Sequence, residues 1–181
     1  MMISYRNIPM YKTFNLENID FSQLTLIKER SKKYKAQDHS RWVYKDVKNN
    51  LYYKMWNPTY IRKDNILKGI SNGFYDIETT PALMGTIFYE GICRGYIMKQ
   101  VKRINNPSDK FYNIIKQKTL SSGCFYFDYC EKHIMSYNNK PCLIDLEGIY
   151  PISELKNFLN HKYNSSFADN NYKEFVCSIV K

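Results

Sequence analysis

The sequence predicts an α+β fold with a strand-rich first half and a helical second half. Two observations carry that prediction. Before residue 102, two pairs of aromatic and β-branched runs are each joined by a short turn segment. After residue 105, stretches with candidate caps and helix-like spacing take over. Hydrophobic residues make up 44% of the 181 positions, with 17 Tyr and 10 Phe, so the expected core is real and largely aromatic.

Taken in order, residues 1–30 mix short apolar runs with polar residues, and 22–33 (SQLTLIKERSKK) reads as helix or strand. Residues 41–47 (RWVYKDV) and 51–56 (LYYKMW) flank Lys48-Asn49-Asn50 and predict a hairpin. Trp42 and Trp56 read as core aromatics. Pro58 opens a helix with Ile61, Ile66, Leu67 and Ile70 at helical spacing, ended by Ser71-Asn72-Gly73. Residues 82–90 and 92–101 form a second expected hairpin around Gly91. Ser108 or Asp109 caps a helix over about 110–121. A short apolar run follows at 124–127, then a loop and the expected strand 141–146. Ser153 is the expected cap of a helix through about 162, and 171–180 forms a last one.

The formal net charge of +10 suits an anionic partner, although lysine is spread along the whole chain. The five cysteines are odd in number and contain no CxxC, which argues for free thiols in a reducing cytoplasm. No apolar run is long enough for a membrane span, and the first residues lack a signal-peptide pattern. A cytoplasmic protein is expected. Its size and Asn/Lys/Ile/Tyr-rich usage would suit a phage or another compact genome.

Two acidic motifs stand out in the second half: Asp128-Tyr-Cys-Glu-Lys-His133-Ile-Met and Leu143-Ile-Asp145-Leu-Glu147-Gly148, with the turn Asn138-Asn139-Lys140 between them. A loop, a strand, a turn and a second strand would bring two carboxylates and an imidazole to one end of a small ribbon. Asp145, within Leu-Ile-Asp-Leu, is a charge in an apolar strand, which is costly unless paired or metal-bound. Read singly, Asp128 is compatible with a turn aspartate, His133 with a core histidine and Glu147 with a solvated turn residue. Lys54 is likewise compatible with an edge lysine. Their order and spacing join them.

On these residues the chain resembles the protein-kinase superfamily over roughly residues 40–150. That family's catalytic loop runs Asp-x-x-x-x-Asn before two apolar residues, and its metal motif is apolar-apolar-Asp-Phe-Gly. Asp128 matches the catalytic aspartate, His133 takes the place of the Asn, and Asp145 matches the metal aspartate 17 positions on. Lys54, in Tyr-Tyr-Lys-Met, resembles the lysine of the third strand, and Met98-Lys99-Gln100 falls where the hinge should be.

The resemblance implies a minimal two-lobed, protein-kinase-like fold in a single domain over 1–181. Its β-rich N-lobe with the hinge would cover 1–101, and a reduced helical C-lobe 102–181. It implies ATP and Mg²⁺ or Mn²⁺ as cofactors, with transfer of the γ-phosphoryl group to a hydroxyl on a small molecule or protein. Asp128 would orient the nucleophile. Asp145, His133 and Glu147 would hold the metal. Lys54 would contact the α/β-phosphates, with Asp64 as its best-placed acidic partner and Glu78 second. The backbone at Met98, Lys99 and Gln100 would bind the adenine edge.

The pattern departs from the family in several places. Residues 28–46 contain no glycine, so Lys32, Lys33, Lys35 and Arg41 are the remaining candidates to cover the phosphates. The helix after Lys54 has no Glu. Glu147 stands where the family has Gly, which looks like the Asp-Phe-Glu or Asp-Trp-Glu motifs of choline-kinase and aminoglycoside-kinase relatives. Only 33 residues follow Gly148, with no Ala-Pro-Glu motif. Two other readings stand beside the enzyme: an inactive pseudokinase acting as a binding module, and, ranked last, a basic nucleic-acid-binding protein whose tyrosines would stack on bases.

Overall fold

The structure, a computed structural model, describes residues 11–29, 40–56, 65–104, 109–160 and 167–180. The architecture is α+β. The described residues fall into two compact units, one drawn from 11–56 and 82–100, the other from 65–81 and 101–180. The segment 65–81 thus groups with the later residues, although it precedes the second hairpin in sequence.

The first unit is a six-stranded sheet. Its strands are β1 (Lys12–Asn15), β2 (Thr25–Glu29), β3 (Ser40–Asp46), β4 (Leu51–Trp56), β5 (Leu83–Tyr89) and β6 (Ile92–Lys99), in the spatial order β1-β5-β6-β4-β3-β2. All neighbours are antiparallel except β1, which runs parallel to β5. The ambiguous stretch 22–33 contributes strand β2. Both expected hairpins form. In the first, the Asp46 carboxylate accepts from the Asn49 amide at 3.0 Å and Asn50 takes a φ of 53°, as a tight turn requires. In the second, Glu90 and Gly91 both have positive φ, 49° and 76°, which matches the twist of a two-residue hairpin. Met55, Ile87 and Ile97 are buried at the centre of one face, with Phe14, Trp42 and Tyr53 packed around them. Trp56 is also buried, so both tryptophans are packing residues.

The described residues of the second unit form four helices and five short strands. The helices are α1 (Asn65–Ser71), α2 (Asp109–Ser122), α3 (Leu155–Asn160) and α4 (Asn170–Ile179). Strands β7 (Lys102–Arg103), β9 (Ile134–Tyr137) and β10 (Lys140–Leu143) form a sheet ordered β10-β9-β7, while β8 (Cys124–Tyr126) pairs with β11 (Ile149–Pro151). The second half is therefore less helical than the sequence suggests. Strands of two to four residues are too short to leave a readable period.

Helix α2 turns Phe111, Ile115 and Thr119 inward at four-residue spacing. Helix α4 is capped by Asp169, whose carboxylate accepts from the Tyr172 amide at 2.7 Å. Ser153 does not cap α3: a 3₁₀ turn, Ile152–Glu154, leads into that helix, and Pro151 before it supplies no side-chain cap. The start of the expected helix at Pro58 lies outside the described residues, and its described part ends at Gly73 with a φ of 76°.

Aromatic rings fill this unit. Phe158 lies 5.1–5.6 Å, centroid to centroid, from Phe125, Phe127, Tyr150 and Phe167. All five cysteines are free thiols. Among the described residues, no helix is long and apolar enough to cross a membrane.

Three phenols in this core carry a consequence for pH. Burial pushes Tyr126, Tyr129 and Tyr172 above the ordinary tyrosine value of 10.0. As pH rises past 10, the unfolded chain loses these protons first, so the folded state loses stability. Thermal melts between pH 8 and 11 should show a midpoint that falls most steeply above about pH 10, with the buried Cys124 thiol, also raised by burial, adding a smaller loss from about pH 9. A midpoint still flat at pH 11 would contradict the burial of these groups.

Candidate active site

Two short β-pairs bring the acidic motifs together. In the β9–β10 hairpin the last paired residues are Ile134 and Leu143. One position further out on each side, the Ile144 amide donates to the His133 carbonyl at 2.9 Å. His133 and Asp145 therefore leave the same open end of one hairpin. The β8–β11 pair ends with Tyr126 opposite Ile149, and the Phe127 amide then donates to the Gly148 carbonyl at 3.0 Å. Asp128 follows directly. A Cβ added to Gly148 would lie 3.2 Å from Cβ of Asp128, so the absence of a side chain at 148 lets Asp128 pack against this turn.

His133 sits at the centre. Its Nδ1 lies 2.8 Å from the Asp128 carbonyl oxygen, which only accepts, so Nδ1 carries the hydrogen and donates it. Its Nε2 faces Asp145 Oδ2 at 3.4 Å. The Asp128 carboxylate is on the Nδ1 side, with Oδ2 at 3.8 Å, and the Cys130 thiol is 3.5 Å from Nδ1. In the neutral ring, the Nε2 lone pair confronts a carboxylate oxygen. One nitrogen and one carboxylate oxygen are thereby turned toward each other, an arrangement that a shared cation can occupy. The side chains of His133, Asp128 and Asp145 are 23%, 33% and 40% exposed, so the group remains open to solvent.

Asp145 is not a buried charge within a strand. Strand β10 stops at Leu143, and Asp145 lies in the left-handed region, with φ 59° and ψ 49°. A non-glycine residue held there costs about 1 kcal/mol or more and persists where its surroundings enforce it. Two buried phenols do so. Tyr126 donates to the Ile144 carbonyl at 2.6 Å and lies 3.3 Å from the Asp145 carbonyl, while Tyr75 donates to the Leu146 carbonyl. The carbonyls of residues 144–146 are thus held in succession. From the opposite side, the Gly148 amide donates to the Asp145 carbonyl at 3.2 Å.

Burial raises the Tyr126 pKa well above the ordinary value. The neighbouring Tyr75 and the charges of Asp145, Asp128 and Glu147 add to the effect, which places three carboxylates within electrostatic range of one hydroxyl. Tyr126→Phe would leave the Ile144 carbonyl without this donor. It should destabilise the protein by about 1–3 kcal/mol, read as a lower urea midpoint at unchanged slope.

Glu147 is 6% exposed, within the one-turn 3₁₀ helix Leu146–Gly148. Among the described residues no three His, Cys, Asp or Glu side chains converge as a metal cluster, so Glu147 does not join His133 and Asp145 at one point. Glu78 is taken by another partner: Lys118 contacts it at 2.7 Å and also pairs with Asp76. Asp64 and the lysines at 32, 33 and 35 lie outside the described residues.

In the sheet unit, Lys54 lies on β4 with its Nζ 5.7 Å from the centroid of the Tyr96 ring, within cation–π range. Tyr96 is its register partner on β6, and the preceding Gly95, paired with Met55, is where any side chain would collide with the Lys54 carbonyl. Met98 is the buried penultimate residue of β6. The Lys99 amide donates to the Ala82 carbonyl at 2.8 Å and the Gln100 amide to the Asn50 carbonyl at 2.9 Å. These two hinge donors are thus spent inside the sheet unit.

Sequence reasoning missed the two phenols. Tyr126 sits in the run Cys-Phe-Tyr-Phe, which reads as plain core, and nothing local marks its hydroxyl as a backbone clamp. No protein-family model matches the chain, and neither does any curated protein.

Proposed function

We propose that this chain is an ATP-dependent phosphotransferase, a minimal two-lobed relative of the protein kinases. One observation carries the reading: His133 Nε2 and Asp145 Oδ2 face each other at 3.4 Å beside Asp128, in an order and spacing that resemble those of the catalytic and metal motifs. Two protein donors suit a cation that shares its shell with substrate phosphates, since such sites take one or two protein ligands and fill the rest with phosphate and water. The donors present fit a divalent ion.

The chemistry follows from the residues. The acceptor hydroxyl attacks the γ-phosphorus, its proton passes to the Asp128 carboxylate, and the bond to the β-phosphate oxygen breaks to release ADP. A bound divalent cation supplies neutralisation of the phosphate charge. Asp145 and His133 hold it, and Asp128 orients the nucleophile. Lys54 is assigned to the α/β-phosphates on the sequence resemblance alone. With the Lys99 and Gln100 amides already bonded, recognition of the base would fall to carbonyls or to donors from residue 101 onward.

A second reading, an inactive binding module of the same fold, draws on those occupied hinge amides. Incubation with γ-labelled ATP, Mg²⁺ or Mn²⁺ and a panel of small-molecule and protein hydroxyl acceptors separates the two. Label transfer that requires Asp145 supports the enzyme. Nucleotide binding without transfer to any acceptor or to water favours the module. If neither nucleotide binding nor transfer occurs with either metal, the enzyme reading fails.

A further inference from the structure

We infer that the cation of this site is a divalent first-row transition ion, Mn²⁺ or a later neighbour such as Co²⁺, in preference to Mg²⁺. The inference rests on the phosphotransferase reading and names its metal.

The Asp128 carbonyl accepts from Nδ1 at 2.8 Å, which fixes both the tautomer and the ring plane. An acceptor placed behind a ligating histidine orients the ring and makes the other nitrogen a better donor. That nitrogen, Nε2, is turned to the Asp145 carboxylate at 3.4 Å. The backbone geometry is held independently of any metal. The Ile144 amide ties the Asp145 side of the hairpin to the His133 carbonyl, and Tyr126 and Tyr75 hold the carbonyls of residues 144–146.

The donor set is therefore one imidazole nitrogen and one carboxylate oxygen. Mg²⁺ is a hard ion that favours oxygen and gives up water reluctantly. First-row transition ions accept imidazole readily, and their affinity for nitrogen-containing sites rises from Mn²⁺ onward. An amide side chain at position 133 would present oxygen and suit Mg²⁺. The histidine, oriented in this way, shifts the balance to the transition ions.

The test is direct metal binding to the full chain, read from the loss of the free Mn²⁺ paramagnetic resonance signal, with Mg²⁺ as competitor. Wild type should prefer Mn²⁺ over Mg²⁺ by about tenfold or more, and His133→Asn should reduce that preference to near parity while retaining Mg²⁺ binding. His133→Gln provides a second oxygen donor should the first variant fail to fold. Equal affinity of wild type for both ions overturns the inference, and so does an unchanged Mn²⁺ preference in a folded variant. Selective Mn²⁺ binding without phosphoryl transfer would leave the inference standing and sink the phosphotransferase reading. Absence of binding by either ion, with and without ATP, would sink both.

Discussion

Asp145→Asn is expected to abolish cation binding and to reduce phosphoryl transfer by about 10³-fold or more. Metal stabilisation of phosphate charge is worth several kcal/mol, and each 1.36 kcal/mol is a factor of ten in rate. Asparagine suits the experiment because the backbone at this position is left-handed, with φ 59°, a region in which Asp and Asn are both tolerated. The Asp145 carbonyl, which accepts from the Gly148 amide, is also preserved. The variant should therefore fold with a near-native melting temperature while losing metal. Alanine would confound the two effects, because it removes the charge and is less at ease in this conformation. Calorimetric Mn²⁺ titration beside a thermal melt checks the prediction. Undiminished metal affinity in the variant would remove Asp145 from the site.

Asp128→Asn should produce a different signature. Transfer is expected to fall by about 10²–10⁴-fold, the range for losing a positioned general base. Metal affinity should stay close to that of wild type. The reason lies in how Asp128 meets His133: the contact that orients the imidazole is made by the Asp128 backbone carbonyl at 2.8 Å, which the substitution leaves in place. The new side chain has nearly the same shape against Gly148. Single-turnover transfer at saturating ATP and Mn²⁺ isolates the chemical step from binding. A variant that loses metal and activity together would show that Asp128 supports the site and does not act on the nucleophile.

Much of this was legible in the sequence, for identifiable reasons. The two hairpins announce themselves through Lys48-Asn49-Asn50 and through Gly91, and Asn50 and Gly91 take the positive φ that such turns require. The order Asp128, His133, Asp145 survives folding because a four-residue strand, a two-residue turn and another four-residue strand form a closed hairpin that returns the chain to its starting end. The pairing of β1 with β5 was not legible, since parallel contact between residues 12–15 and 85–88 leaves no local trace. Nor was the true environment of Asp145. An acid inside Leu-Ile-Asp-Leu looks like a charge buried in a strand, whereas the strand ends two residues earlier and the side chain is 40% exposed. What marks the residue is its backbone conformation, which depends on Tyr126 and Tyr75 from distant parts of the chain.

The central claim is that His133 and Asp145 share one cation beside Asp128. Proton NMR of the imidazole rings tests it most directly, because the chain has only three histidines, at positions 39, 133 and 161. Sub-stoichiometric Mn²⁺ added with a non-hydrolysable ATP analogue should broaden the His133 ring signals first, with His133→Asn providing the assignment. Asp145→Asn should abolish that selectivity. His133 signals that stay sharp, or that broaden no sooner than those of His39 and His161, would contradict the account.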